Sequence, residues 1–155
     1  MADLEKADTQ TLARLKSDMK DAMRARESER LTTIRMLLAA LKNKQIDARR
    51  ELNEEDIVTV LATEAKKRRE AAESFRGGDR LELAEKEEAE LVVIESYLPQ
   101  QLSEDEVNAI IDELIASTGA ESKRDMGKVM GPLMGRIKGQ FDGGRAKDLV
   151  MAKLP

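Results

Sequence analysis

The sequence predicts an all-α fold, and three observations support that prediction. Leu, Ala, Glu, Lys and Arg dominate the 155 residues. Aromatic residues are scarce, and the alternation of Val, Ile and Tyr that is typical of strands is missing. Apolar residues recur instead at spacings of three and four, as in amphipathic helices. We therefore expect an N-terminal four-helix hairpin or bundle region followed by a small three-helix C-terminal domain.

The first two helices are predicted from their apolar stripes. A helix over about 9–26 is marked by Leu12, Leu15, Met19 and Met23. A second helix over about 29–48 is marked by Leu31, Ile34, Leu38 and Leu41. Each stripe covers one face of its helix, so both helices should pack against a shared core.

The next two helices are predicted from their end signals. Asn53 is a natural N-cap, and the three acidic residues after it suit the positive end of a helix dipole. Glycines at 77 and 78 should stop this third helix. Asp79 is then expected to cap a fourth helix, which ends near Pro99.

The last third of the chain predicts three shorter helices after a boundary at 99–102. Ser103 and Glu106 form a capping-box pattern, and Gly119 should end the helix that they open. Ser122 and Asp125 form a second such pattern before a glycine-bearing segment, and a last helix covers about 145–153. We expect an N-terminal helical domain over 1–98, a linker over 99–102 and a C-terminal domain over 103–155.

Composition and charge predict a cytoplasmic protein. The chain has no cysteine, its start MADLEKADTQ is acidic and unlike a secretory signal, and no apolar run of about 18 residues exists to span a membrane. The net charge of −4 is uneven, because 1–50 and 120–155 each carry +4 and 51–119 carries −12. Either basic end could meet an anionic partner, or these charges are ordinary solvated helix faces.

The residue inventory predicts no complete active site, no cofactor and no metal site. Histidine and cysteine are absent, and no serine lies in a nucleophile elbow. The carboxylates at 87, 88 and 90 could hold a divalent ion or act as acid and base, but a solvated helix face explains them more simply. The basic run at 66–69 could contact nucleic acid, or it pairs with acids three or four residues away on its own helix.

The stretch DMGKVMGPLMGRIKGQFDGG, 125–144, holds six of the nine glycines. Projected on one continuous helix, its glycines fall beside basic residues and away from the apolar stripe. An extended phosphate backbone or another main chain could therefore approach closely. Alternatively, the glycines are caps and close helix contacts, and Pro132 kinks or splits the segment, with Gly131 as a C-cap.

Three stretches resemble the YqeY family. They are RLTTIRMLLAALKNKQID at 30–47, EKEEAELVVIESYLPQQLSEDEV at 85–107 and DMGKVMGPLMGRIKG at 125–139. That family is similar to the tail domain of the GatB subunit of the tRNA-dependent Glu/Asp amidotransferase. The resemblance implies the four-plus-three helical architecture, a tRNA-related role and an association with carbon–nitrogen ligase chemistry that uses glutamine as amido donor. Relatives more often have alanine at the position of Pro132 and proline at that of Gly135.

The resemblance places the candidate nucleic-acid contacts in the C-terminal region. They are Gly127, Lys128, Gly131, Arg136, Lys138, Gly139, Arg145 and Lys147. All are predicted to contact phosphate and none to catalyse a reaction. A helix start near Gly143 and Gly144 should also offer free backbone N–H groups to an anion.

Three hypotheses about function follow from this reading. The first is a tRNA-binding accessory module that works beside an amidotransferase or another translation-related protein. The second is a protein–protein adaptor whose glycine-lined face receives a partner helix. The third is a weak stand-alone amidase or amidotransferase acting on aminoacyl-tRNA, although the residues for that chemistry are missing.

Overall fold

The computed structural model of the protein describes residues 9–155, and over that range it contains seven α-helices and no strand. The helices are α1 (Gln10–Ala25), α2 (Ser28–Ala48), α3 (Glu54–Gly77), α4 (Leu81–Glu95), α5 (Glu104–Thr118), α6 (Met126–Ile137) and α7 (Gly143–Lys153), with a 3-10 turn (Lys123–Asp125) before α6. The all-α prediction is confirmed. The prediction that the chain start is not a secretory signal concerns residues that lie largely outside the described range.

The helices form two compact units, of which the first ends at Leu98 and the second covers Pro99–Pro155. Each unit has its own cluster of buried apolar residues. The predicted limits of two domains and a linker at 99–102 stay a prediction, because a division of contacts does not show that either part folds alone.

In the first unit, α1 packs on α2, and α3 packs along α4. The predicted stripes face this core in part, whereas Met23 is 50% exposed. The buried members of the core are Leu15, Ile34, Leu37, Leu41, Ile57, Leu61, Ala65, Ile94 and Tyr97. The start of α1 is fixed from another helix, since the Thr11 N–H donates to the Glu54 carboxylate at 3.1 Å. Burying these side chains supplies the main stabilising free energy of the unit.

The predicted cap at Asn53 is confirmed, whereas the predicted cap at Asp79 is wrong. Asn53 accepts from the Asp56 N–H at 2.8 Å, and the Asp56 carboxylate accepts from the Asn53 N–H at 2.9 Å. Asp79 instead has φ 58° and closes the end of α3, where its N–H donates to the Arg76 carbonyl. Arg80 precedes α4 without a side-chain cap.

In the second unit, three apolar residues of α6 face the core together with residues of α5 and α7. Ser103 and Glu106 form the predicted capping box, and Gly119 ends α5 with φ 70°. The second predicted box is wrong, because the Ser122 hydroxyl accepts from the Arg124 N–H and opens the 3-10 turn instead. The α6 helix runs without interruption through Pro132, so the predicted split with a C-cap at Gly131 does not occur.

Candidate functional site

The glycine-lined face, which we define as the exposed side of α6 bearing Gly127, Gly131 and Gly135, is open. A Cβ atom built on any of these three glycines has no atom within 4 Å among those tested around it. The opposite side of α6 is buried through Val129 and Leu133. These three glycines are therefore neither caps nor close helix contacts, and the projection of the sequence located them correctly.

The glycines that follow α6 have ordinary structural roles. Gly139 has φ 75°, a conformation that favours glycine, and its carbonyl accepts from Gln101 Nε2 at 2.8 Å. The predicted helix start near Gly143 is confirmed, since α7 begins at that residue, whereas anion binding there stays a prediction. The Asp142 side chain caps α7 and accepts from the Arg145 N–H at 3.2 Å, so a carboxylate already lies where an anion was expected.

Basic residues around the glycine-lined face lie in exposed ion pairs. The pairs are Lys128 with Asp125 (3.3 Å), Arg136 with Glu113 (3.1 Å) and Arg145 with Glu104 (3.0 Å). Lys138 and Lys147 are exposed as well. Exposed pairs of this kind contribute little stability and can exchange partners. Phosphate contact by the eight candidate residues stays a prediction.

The basic run at 66–69 is paired with acids, within its helix and beyond it. Lys67 lies 3.1 Å from Glu64. Arg68, only 7% exposed, bonds Glu64 on its own helix at 3.1 Å and Glu90 on α4 at 3.0 Å. The intrahelical interpretation was right for these pairs but incomplete, because α4 supplies the second carboxylate for Arg68.

The acidic residues at 87, 88 and 90 serve the same interface. Glu88 binds Arg76 through two hydrogen bonds of 2.6 and 2.8 Å, which lowers the pKa of the Glu88 carboxyl. Glu87 lies 3.9 Å from Arg68. Over residues 9–155, no three acidic side chains converge in a way that could hold a metal ion. These carboxylates contact arginines of α3 and so connect α4 to α3. The interpretation as a solvated helix face did not include these contacts.

The first unit contains a concave groove, which we call the basic groove. It is lined by α1, α2, the connection after α2 and Ile57 of α3, and it encloses about 940 Å³. The lengths of the helices explain it. The 16 residues of α1 span about 24 Å, whereas the 21 residues of α2 span about 31 Å. In a hairpin with a two-residue connection, α1 therefore leaves the end of α2 uncovered.

The floor of the basic groove is apolar and recessed. Leu41 is 4% exposed and Ile57 is 1% exposed, and both line the groove. Four further apolar side chains line the groove and are partly buried, namely Leu12, Met19, Leu38 and Leu52. Ile46, 63% exposed, stands at the edge on the overhanging part of α2. An apolar floor with an exposed apolar edge suits the docking of apolar side chains.

The rim of the basic groove is positive. Its lining contains five cations and one anion, namely Lys16, Lys20, Lys42, Arg49 and Arg50 against Glu51. Arg50 binds Asp56 at 2.6 Å, and this hydrogen bond, together with the Asn53 N–H, lowers the pKa of the Asp56 carboxyl to about 2. Within the described residues, the buried Thr9 Oγ1 on the lining has no hydrogen-bond partner.

Sequence reasoning did not find the basic groove, although it named part of its floor. Leu12, Met19, Leu38 and Leu41 were interpreted as core stripes, which is correct for the fold but hides the uncovered end. One signal was available: α2 carries a further apolar residue, Ile46, beyond the length that α1 can cover. Basic residues interleave with that extension.

None of the helices over residues 9–155 combines the length and the apolar character needed to cross a membrane. Two surfaces of the described residues combine exposed cations with small or apolar residues. One is the glycine-lined face, with paired cations around it. The other is the basic groove, which is concave and carries an apolar floor.

The chain is similar to curated fungal proteins named Altered inheritance of mitochondria protein 41, mitochondrial. The relative from Lachancea thermotolerans is 40% identical over 111 residues, which cover 68% of this chain and 58% of the relative. The relative from Eremothecium gossypii is 36% identical over 119 residues, which cover 72% and 65%. A Saccharomyces cerevisiae relative is 29% identical over 132 residues, which cover 81% and 71%. The chain thus spans less than two thirds of the first two.

These relatives correct two predictions. The predicted function, a tRNA-associated module linked to amidotransferase chemistry, is wrong, because the relatives are named after the inheritance of mitochondria. The predicted cytoplasmic location is wrong as well, because the same proteins are named as mitochondrial. The physical reason is that the shared motifs specify helix ends and core packing, which fix a fold and leave its function open.

The resemblance that the sequence motifs indicated is confirmed. The family model of Yqey-like proteins matches residues 12–154, which is nearly the whole chain and includes both units. The described helices and the three quoted stretches lie almost entirely within that match. This chain belongs to the YqeY family of Yqey-like proteins.

Proposed function

We propose that this chain is a binding module whose basic groove takes up a segment of a partner protein. The observation that carries the proposal is the groove itself, a recess of about 940 Å³ with an apolar floor that α1 leaves uncovered. Its volume lies within the range in which protein pockets bind ligands, and apolar recesses of this kind receive anchoring side chains. The names of the relatives connect this binding role to mitochondria.

Crosslinking from the groove tests the binding role. A photoreactive amino acid is placed at position 46, and a control protein carries it at position 92, where Val92 on α4 is 69% exposed and outside the groove. We expect one protein segment to be captured repeatedly from position 46 and not from position 92. Capture of the same proteins from both positions contradicts the proposal, as does a crosslink only within the chain or to a second copy.

Complementation tests the connection to mitochondria. The region of the Saccharomyces cerevisiae relative that matches this chain is replaced by the corresponding part of the chain, and inheritance of mitochondria is scored in cells that lack the native protein. We expect the chimera to restore inheritance and the same chimera with Ile46→Asp to fail. The matched control Val92→Asp should behave like the unchanged chimera. Restoration by all three chimeras would exclude the groove from this role.

A further inference from the structure

The charges of the basic groove are distributed on both walls. Lys20 lies on the α1 wall, and Lys42 and Arg49 lie on the α2 wall. The excess of cations is local, because the whole protein has a net charge of −4. A positive groove in a negative protein selects an anionic ligand through electrostatic complementarity.

The spacing of these cations indicates a ligand with several separate charges. Lys42 and Arg49 are seven residues apart, which is about 10 Å along α2. Lys20 lies on the other wall. Cations two turns apart on one wall and a cation on the other match carboxylates at positions i and i+7 on one flank of a helix and a carboxylate on its other flank.

The depth of the floor indicates an apolar ligand face that is narrow. Leu41 and Ile57 are almost fully buried beneath the partly buried Leu12, Met19, Leu38 and Leu52, while Ile46 is exposed at the edge. Side chains that project from a single helix can reach such a floor at positions i, i+3, i+4 and i+7. A flat surface would touch only the edge.

We infer that the basic groove binds an acidic amphipathic helix of the partner protein, with its apolar side chains on the floor and its carboxylates beside Lys20, Lys42 and Arg49. This inference rests on the proposed function and names the chemistry of the partner. It places the helix along the uncovered end of α2, because that is where the apolar floor and the cations of both walls meet.

Two other ligands fit these observations less well. A single acyl chain has one charged end, so it would use one of the cations and leave the rest without a role. An anionic membrane surface supplies many charges, but it is flat on the scale of the groove and cannot fill the recess above Leu41 and Ile57. Only an amphipathic helix supplies both the narrow apolar ridge and repeated charges.

The test uses three synthetic helical peptides with one identical leucine face and different flanking residues. The flanks are Glu in the first peptide, Gln in the second and Lys in the third. Binding of each labelled peptide to the full chain is measured by fluorescence anisotropy. We expect the Glu peptide to bind about tenfold or more tightly than the Gln peptide, and the Lys peptide most weakly. Added salt should weaken the Glu peptide most.

The chain offers a matched pair of variants for the rim. Arg49 ends α2 with φ 55° and Arg26 ends α1 with φ 57°, conformations that glycine adopts at less cost. Arg49→Gly and Arg26→Gly therefore remove one positive charge each without straining the backbone. Arg49→Gly should weaken the Glu peptide about twofold to fivefold, the range expected for one solvent-exposed ion pair. Arg26→Gly, outside the groove, should leave its affinity unchanged.

Several outcomes overturn the acidic helix. Equal binding of the Glu and Gln peptides, both lost in Ile46→Ser, overturns the charge preference but leaves the proposed function standing. If none of the three peptides binds while crosslinking from position 46 still captures a protein segment, the acidic helix is overturned and the proposed function stands. Failure of the peptides and of the crosslink overturns both proposals. Binding to vesicles of anionic lipid that depends on Arg49, without peptide binding, assigns the groove to a membrane instead.

Discussion

The basic groove of the first unit and the glycine-lined face of the second unit both combine cations with exposed apolar or small residues. They differ in shape, although both have cations that pair with acids, such as Arg50 with Asp56 at the groove. The glycine-lined face lies on one helix, and Lys128 and Arg136 beside it already pair with acids. The groove is formed by several elements and has a floor. The difference teaches that an unusual local sequence need not mark a concave surface.

The largest effect that sharpens this comparison is expected in the two cores. Leu61→Ala in the first unit and Leu133→Ala in the second each remove a fully buried side chain, and each should reduce the free energy of unfolding by about 2–5 kcal/mol. Denaturant unfolding measures the loss, and hydrogen exchange locates it. Leu61→Ala should also weaken the Glu peptide, since Leu61 belongs to the cluster beneath the groove. An equal weakening in Leu133→Ala would break the comparison.

The second effect contrasts two arginines. The Arg68 side chain is 9% exposed between Glu64 and Glu90, whereas Arg136 is 46% exposed in its pair. Arg68→Met leaves two partly buried carboxylates without their cation and should cost about 2 kcal/mol, less than a fully buried pair. Arg136→Met should change the free energy of unfolding by no more than about 0.5 kcal/mol. The shift of the denaturant midpoint, with the dependence of the free energy on denaturant unchanged, measures the loss in each variant. Equal losses in the two variants would contradict the difference between a buried and an exposed arginine.

Local features of the fold could be predicted from the sequence. The apolar stripes located α1 and α2 within about two residues, and the N-cap at Asn53 and the capping box at Ser103 are as predicted. These signals act between residues three or four apart, so a single sequence contains them. The exposed position of Gly127, Gly131 and Gly135 also follows from helical periodicity alone.

The remaining features depend on contacts between distant residues. The groove exists because α1 is shorter than α2, and its floor needs Ile57 from a third helix. Arg68 binds Glu90, which lies 22 residues further along the chain. Asp79 lies at the end of α3, where its N–H donates to the Arg76 carbonyl. The pattern of residue types fits this role as well as a cap of α4, so it could not distinguish the two. Such outcomes are decided by packing and not by local propensity.

The third effect concerns Tyr97, the only tyrosine of a chain without tryptophan. Burial, and then the hydrogen bond that its hydroxyl donates to Asp18, raise the pKa of Tyr97 to about 12. A raised phenol pKa means that the stabilisation is complete below the ordinary value of 10 and is lost as the pH rises through about 12. The near-ultraviolet absorbance of phenolate therefore titrates this one residue, and a midpoint near 10 in the folded protein would contradict its burial.

Tyr97→Phe is the matching variant. It keeps the ring beneath Arg14, whose guanidinium carbon lies 4.9 Å from the ring centre, and removes only the hydroxyl. At neutral pH the lost hydrogen bond should cost about 1 kcal/mol. The steep loss of stability above pH 10 should become flatter. An unchanged alkaline limb would assign that loss to other groups.

The fourth effect compares the capping boxes of the two units. Asn53→Ala and Ser103→Ala each remove a side-chain acceptor for a backbone N–H, at 2.8 and 3.1 Å. Each should lower the free energy of unfolding by about 1 kcal/mol, as measured by thermal or denaturant unfolding. Asn53→Asp and Ser103→Asp should retain most of the stability, because an aspartate side chain also accepts from the backbone N–H groups at a helix start. A loss confined to one unit would mean that the other helix start is fixed by its packing.

The smallest effect is expected at acid pH and distinguishes the two boxes. Asp56 closes the box of α3 and also binds Arg50 on the groove rim, and the pKa of its carboxyl is lowered to about 2. Because the folded pKa is below the ordinary value of about 4, the stabilisation is present above pH 4 and is lost as the pH falls towards 2. Asp56→Asn should flatten this acid limb, and salt should reduce it in the unchanged protein, since the Arg50 pair is exposed to solvent. If the acid limb of Asp56→Asn matches that of the unchanged protein, neither the Arg50 pair nor the hydrogen bond from the Asn53 N–H contributes to it, and the rim at Arg50 is not fixed by Asp56.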